Sequence, residues 1–280
     1  MNYQQMLHQG SKILKLNKIN SFNLDSEILL SSSLNLKRAE LLLNLDNKIN
    51  DKEKKFFFNF IERRKNKEPV AYITGYKQFW KKKFKVNKNV LIPRPDTETL
   101  VEHVLNELDV NSKKKILDIG TGSGCIILSI LNEREKCTGV GVDISKNAIK
   151  LAKYNAKIQH IENRIKFFNS DIDNFYGDKY DLIISNPPYI KLHEINGLDK
   201  DIKCHEPKVA LDGGIDGYSK IRLVISKSST LIKKKGKLFL EVGSDQILKT
   251  LDILKKNGFY KKNIFKDLAN KNRCIVSIKI

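Results

Sequence analysis

The sequence predicts an α/β protein: a doubly wound, Rossmann-like sheet, with a small amino-terminal helical domain joined to it by a β-hairpin. Two observations carry most of that expectation. From residue 113 onward, short runs rich in Ile, Val and Leu alternate with helical stretches, the order that βαβ units produce. Residues 1–74 instead repeat apolar side chains at helical spacing. A third observation, at residues 76–90, is the alternation of apolar and basic residues between these regions.

Taken in order, "LDSEILLSSSL" opens with Asp25 as a candidate cap and spaces Ile28, Leu29, Leu30 and Leu34 as a helix does. "KKFFFNFIERRKNKEP" puts Phe57, Phe60 and Ile61 on one packing face, and Pro69 is expected to end that helix. "YKQFWKKKFKVNKNVLI" alternates around Trp80, Phe84 and Val86, as a two-stranded connector would. In "PRPDTE", residues 93–98, the prolines exclude regular structure before them, and Asp96 is placed to cap "TETLVEHVLNEL". That segment reads either as a stiff joint or as a loop that also touches a ligand. The expected organisation is a helical domain at 1–74, a hairpin linker at 75–95 and a catalytic domain at 96–280.

Beyond residue 113 come "KKILDIG", "CIILSILNE", "CTGVGVDIS", "KNAIKLAKYNAK", "RIKFFNSD" and "YDLIISN". A helix around "GYSKIRLVISKSSTLIKK", the strand "GKLFLEVG", the helix "DQILKTLDILKKNG" and a β pair ending in "RCIVSIKI" complete the chain. In such sheets ligands bind beyond the carboxyl ends of the strands, where strand order reverses.

Composition narrows the classes. The 280 residues are 40% hydrophobic and 30% charged, as in a globular protein with a real core. No apolar run reaches the ~18 residues of a membrane span, and "MNYQQMLHQG" lacks a signal-peptide pattern. Cys125, Cys137, Cys204 and Cys274 are scattered, which argues against a zinc site or a disulfide framework and for a reduced, cytoplasmic compartment. No metal is expected. The net charge of +20 is almost all lysine spread along the chain; it permits an acidic partner without identifying one.

"ILDIGTGSGC" falls where the first strand of the alternating region meets its helix. Gly120, Gly122 and Gly124, with Thr121 and Ser123 between them, let the backbone turn sharply and approach a ligand. Dinucleotide sites use G-x-G-x-x-G/A, whereas Cys follows Gly124 here. The G-x-G-x-G spacing, with Asp118 before it, resembles motif I of class I S-adenosylmethionine methyltransferases. Asp143 ends "VGVDIS", where a carboxylate meets ribose hydroxyls; it could instead cap the next helix, a task Ser145 can also perform. Asp171 is placed to receive an adenine amino group and Ile172 to pack on the ring, or both are simple loop residues.

"ISNPPYI" delivers Asn186, Pro187, Pro188 and Tyr189 at a strand end. That combination suits methyl transfer to a nitrogen whose lone pair is delocalised into a planar group. The Asn186 carbonyl can accept one N–H and the Pro187 backbone carbonyl the other. Prolines fix φ and add no competing donor, and Tyr189 can stack on the planar group. His193 and His205, in nearby loops, read as surface residues.

"LDSEILL", "EPVAYITGYKQFW", "LIPRPDTETLVE", "LDIGTGSGCIILSI", "SNPPYI", "HEPKVALDGGIDGY" and "LEVG" together resemble the release-factor glutamine methyltransferase family, the HemK/PrmC group. The resemblance implies methyl transfer from S-adenosyl-L-methionine to the side-chain nitrogen of the glutamine in the GGQ loop of peptide chain release factors. It places the cofactor on Gly120 to Gly124 and Asp143, and the glutamine on Asn186 to Tyr189. It implies that the helical domain grips the release factor; a monomer that needs neither membrane nor nucleic acid is expected, although the sequence does not reveal the oligomeric state. Members often carry an aromatic residue at the adenine wall, where this chain has Ile172. The roles of Arg94, Glu98 and Glu206 (of "HEP") do not follow from the sequence. An adenine-amino DNA or RNA methyltransferase would share Asn186 to Tyr189 and fit the charge, but not the other segments. A non-catalytic, lysine-rich RNA binder would not need the glycine loop.

Overall fold

The computed structural model describes residues 1–280. The chain forms two compact units, Met1–Tyr76 with Asp199–His205, and Lys77–Leu198 with Glu206–Ile280.

The first unit is helical: α1 (Tyr3–Leu16), α2 (Phe22–Ser33), α3 (Arg38–Leu43), α4 (Asp51–Lys65) and α5 (Val70–Thr74). Capping boxes start α1 and α4, where Asn2 and Asn50 accept the amides of Gln5 and Glu53, each at 2.9 Å. Met6, Leu14, Leu29, Leu30, Leu41, Phe57 and Ile61 fill its core. Two expectations for this unit are corrected. Helix α2 starts at Phe22, so Asp25 is not its cap but a buried residue of its first turn, bonded to Ser21 and Arg64. Burial explains the difference: at 6% exposure the carboxylate is held by a guanidinium rather than by helix amides. Helix α4 stops at Lys65, before Lys67 takes a left-handed φ of 68°; Pro69 does not end it but opens α5.

In the second unit, the antiparallel hairpin of β1 (Tyr76–Phe79) and β2 (Lys82–Lys85) buries Phe79 and Phe84 in the core. Helix α6 (Glu98–Asn106) follows a single 3₁₀ turn at Pro95–Thr97. Asp96 lies inside that turn and does not cap α6, a further correction; its Oδ2 is 4.0 Å from Arg273. Then come β3 (Lys115–Ile119), α7 (Cys125–Glu133), β4 (Thr138–Asp143), α8 (Lys146–Ile158), β5 (Ile165–Asn169) and β6 (Tyr180–Ser185). The short α9 (Lys200–His205) belongs to the helical unit, and α10 (Ser219–Leu231), β7 (Ile232–Glu241), α11 (Ile247–Lys256), β8 (Phe259–Lys266) and β9 (Asn272–Lys279) complete the sheet. Helix α10 is shorter than its sequence suggested, because Ile232 already pairs with Tyr180 across a bulge in β7.

The seven strands run in the order β5-β4-β3-β6-β7-β9-β8. All pair in parallel except β9, which is antiparallel to both β7 and β8. Alternate residues serve opposite faces: Ile116, Leu182 and Phe239 enter one core, Leu117, Ile183 and Leu238 the other. Strand order reverses between β3 and β6, so the crevice beyond their carboxyl ends is the expected ligand position. No helix is long and apolar enough to cross a membrane.

Candidate active site

A cavity of about 190 Å³ opens at that reversal. The turn after β3 forms one wall with Gly120, Thr121, Gly122 and Ser123. Gly120 and Gly122 have φ of 75° and 55°, in the left-handed region, and a Cβ on Gly120 would meet nothing within 4 Å. The turn is tied to β4 at both levels: Gly120 and Thr121 donate their amides to the Val142 carbonyl at 2.8 and 3.0 Å, and Gly122 donates to Asp143 Oδ2 at 2.9 Å. Gly124, with φ of 80°, does not line the cavity; it leads into α7.

Asp143 lines the cavity at the end of β4. Its Oδ1 accepts the Ser145 amide at 2.8 Å, while the Ser145 hydroxyl caps α8 by accepting the Ala148 amide at 3.2 Å. Each carboxylate oxygen keeps a lone pair for further donors. Burial raises the Asp143 carboxyl above the usual range against the pull of these two amides. Asp171 and Ile172 also line the cavity, two and three residues after β5, and Asp171 accepts the Asp173 amide at 3.2 Å. Asp118 is fully buried beneath the turn: its Oδ2 accepts the Thr121 hydroxyl at 2.7 Å, its Oδ1 has no partner, and burial pushes its carboxyl up to about 7.

Asn186, Pro187 and Pro188 form the wall beside the glycine turn. The Asn186 Nδ2 donates to Thr97 Oγ1 at 3.1 Å. Tyr189 does not line this cavity but a second one, of about 210 Å³, that Arg273 and Gln246 also line. Burial pushes its phenol up to about 12, so it stays protonated and neutral around pH 7.

Several contributors were missed or left without a role. Arg94 lines the cavity and donates to Glu206 Oε1 at 2.6 Å, while Glu206 Oε2 accepts the Ile92 amide at 3.3 Å. The acid of "HEP" therefore pins the "PRPDTE" segment. Glu98 turns away from the cavity and accepts the Trp80 amide at 2.9 Å. Thr97, which lines the cavity beside Asn186, and the buried Glu241 carried no signal of their own; the one cue was an acid near the end of the apolar run "LFLEVG". His193 is exposed, and His205 meets the Asn66 carbonyl within the helical unit.

The family profile described as the PrmC N-terminal domain matches residues 5–75, and that described as the methyltransferase small domain matches residues 95–202. The release factor glutamine methyltransferase of Clostridium acetobutylicum is 38% identical over 100% of this chain and 99% of its own length. The chain belongs to the release factor glutamine methyltransferase family. The family member of Buchnera aphidicola subsp. Schizaphis graminum is 39% identical over 98% of both chains. Among solved structures, the ribosomal protein L11 methylase of Lactobacillus delbrueckii subsp. bulgaricus superposes with a TM-score of 0.53, over 73% of this chain and 91% of that one. At 16% identity that likeness concerns the fold alone. Membership in the release factor glutamine methyltransferase family makes the protein a methyltransferase and accounts for its α/β sheet and amino-terminal helices.

Proposed function

We propose that the protein transfers a methyl group from S-adenosyl-L-methionine to the side-chain amide nitrogen of the GGQ glutamine in peptide chain release factors. The observation that carries this reading is Asn186, held beside the glycine turn in a chain that matches release factor glutamine methyltransferases from end to end. When bound, the cofactor supplies an electrophilic methyl group on a sulfonium.

The residues present fit such a ligand. The turn, without a Cβ at Gly120 and Gly122, leaves room for a close approach, Asp143 has lone pairs to spare for vicinal hydroxyls, and Ile172, Val142 and Val224 offer apolar walls. Gly120 to Ser123, Asp143, Asp171 and Ile172 would hold the cofactor, with Gly124 shaping the turn. Ile172 gives the ring an aliphatic rather than an aromatic surface.

On the substrate side, Asn186 Oδ1 accepts one amide N–H and the Pro187 carbonyl the other, which turns the nitrogen lone pair toward the methyl donor. Pro188 keeps that corner rigid, and Tyr189, neutral and packed on the adjoining core, backs the corner rather than acting as a base. Orientation of this kind contributes up to ~7–11 kcal/mol in ideal cases. No strong base is required before transfer, because the methylated nitrogen sheds its proton readily afterwards. In this reading residues 1–74 grip the release factor, residues 75–95 link the domains, residues 96–280 carry the chemistry, and the enzyme works as a cytoplasmic monomer.

The charge of +20 is the one feature that favours an adenine-amino nucleic-acid methyltransferase. Incubation with labelled S-adenosylmethionine and either release factor or nucleic acid separates the two. Label in the release factor is the expected result; label confined to nucleic acid refutes the assignment.

A further inference from the structure

We propose that Glu241, acting through Thr97, fixes which end of the Asn186 carboxamide faces the cavity. The inference rests on the reading of Asn186 as an acceptor for the substrate amide. A carboxamide has two ends of nearly equal shape and opposite hydrogen-bonding character. Turned over, Asn186 would set its own NH₂ against the NH₂ of the glutamine, donor against donor, and nothing on the substrate side would correct it. The constraint has to come from the protein.

Thr97 lines the cavity beside Asn186, and Glu241 is buried next to both. Asn186 Nδ2 donates to Thr97 Oγ1 at 3.1 Å. That leaves the Thr97 hydroxyl hydrogen to find an acceptor, and Glu241 is the neighbouring carboxylate whose charged form Thr97 and Asn186 both favour. The topology creates the meeting: β6 and β7 are parallel neighbours with Ser185 opposite Leu240, so the next residues on each strand, Asn186 and Glu241, emerge side by side. Glu241 is 3% exposed, forms no salt bridge, and its Oε2 has no hydrogen-bond partner. A carboxylate buried without a bonded cation weakens the fold, and groups of this kind cluster at functional sites.

The groups facing Glu241 are Thr97 and Asp96 from the turn before α6, Arg273 and Cys274 from β9, Asn186 and Tyr189 after β6, and Cys125 of α7. Burial pushes its carboxyl up to about 7; Thr97, Arg273 and Asn186 favour the charged form and Asp96 opposes it. Ionised, Glu241 can only accept, which keeps the relay pointing inward. Protonated, it offers a donor that competes for Thr97 Oγ1 and frees the amide to turn. Glu241 is thus a positioning residue, not a catalytic one.

The test is turnover on a GGQ-containing release factor as a function of pH, with the dissociation constant for S-adenosylmethionine measured alongside as a control for folding. Thr97→Val is expected to lower kcat roughly 10- to 100-fold, the scale of one lost polar contact in the transition state. Cofactor affinity should stay within about 3-fold, and Thr97→Ser, which keeps the hydroxyl, should recover most of the loss. Glu241→Gln should lower kcat and flatten an acid limb that the wild type shows near neutrality. Wild-type kcat in Thr97→Val, or an unchanged acid limb in Glu241→Gln, overturns the proposal; such a retained limb would point to Asp118. A wild type inert toward release factor would sink the substrate reading instead, so the two failures are distinguishable.

Discussion

In the helical unit, Arg64 is shut between Asp25 and Asp201 at 2.7 Å from each, whereas in the second unit Asp118 and Glu241 are buried at least as deeply with no salt bridge at all. Both arrangements take charge out of water. The first compensates it within hydrogen-bonding distance, tying α4 to α2 and to the returning helix α9. The second leaves the carboxyls raised to about 7 and one oxygen of each without a partner. Buried charge that is neutralised locally holds a fold together; buried charge left unbalanced marks a place where the fold yields to chemistry.

The sharpest way to break this contrast is to remove the central acceptor. Asn186→Ala is expected to lower turnover roughly 10³- to 10⁴-fold, with cofactor affinity nearly unchanged, because in the proposed function the residue holds the substrate rather than the fold. Steady-state kinetics with calorimetric cofactor titration checks both halves; surviving turnover would contradict the alignment argument. In the helical unit, Arg64→Met strands the buried Asp25 carboxylate, while the partly exposed Asp201 can turn to water, and should cost about 3 kcal/mol in denaturant unfolding. Replacing Asp25, Arg64 and Asp201 together by apolar residues of similar volume should recover most of that loss. If it does not, the cluster does more than compensate charge.

Smaller effects sharpen the comparison. Asp143→Asn keeps shape but weakens acceptance from the Gly122 amide and, in the proposed function, from the ribose hydroxyls, and should reduce cofactor affinity about 10-fold by calorimetry. Glu241→Gln should alter stability in a pH-dependent way. The carboxyl has an ordinary value of 4.5 and is held at about 7 in the folded protein. Between those values the folded state keeps a proton that the unfolded chain releases, so this group's contribution to stability falls as pH rises across that window. The variant lacks the penalty. Its Tm relative to wild type should therefore be higher, by a few degrees, at about pH 8 than at about pH 5. A gain in stability joined to a loss of turnover would be the signature of a residue kept for function.

What the sequence disclosed follows the same division. The glycine turn, Asp143 and Asn186 were legible because each lies at a strand end within a short, distinctive run, and strand–helix alternation located those ends. Asp25 was misread as a cap because its true partner, Arg64, is 39 residues away and no local pattern announces such a pair. The pairing of Arg94 with Glu206 spans 112 residues, and the bond from Asn186 to Thr97 spans 89. Contacts of that range are set by sheet order, which strand–helix alternation constrains only loosely. Tyr189 shows the converse: the motif groups it with Asn186, yet it lines a second cavity and not the one that Asn186 lines.

The most direct test of the account is mass spectrometry of a GGQ-containing release factor after reaction with S-adenosylmethionine, beside a GGA control. The account predicts a single methyl group on the side-chain nitrogen of the GGQ glutamine and none on the control. Methylation at another residue, or equal methylation of both proteins, would contradict it.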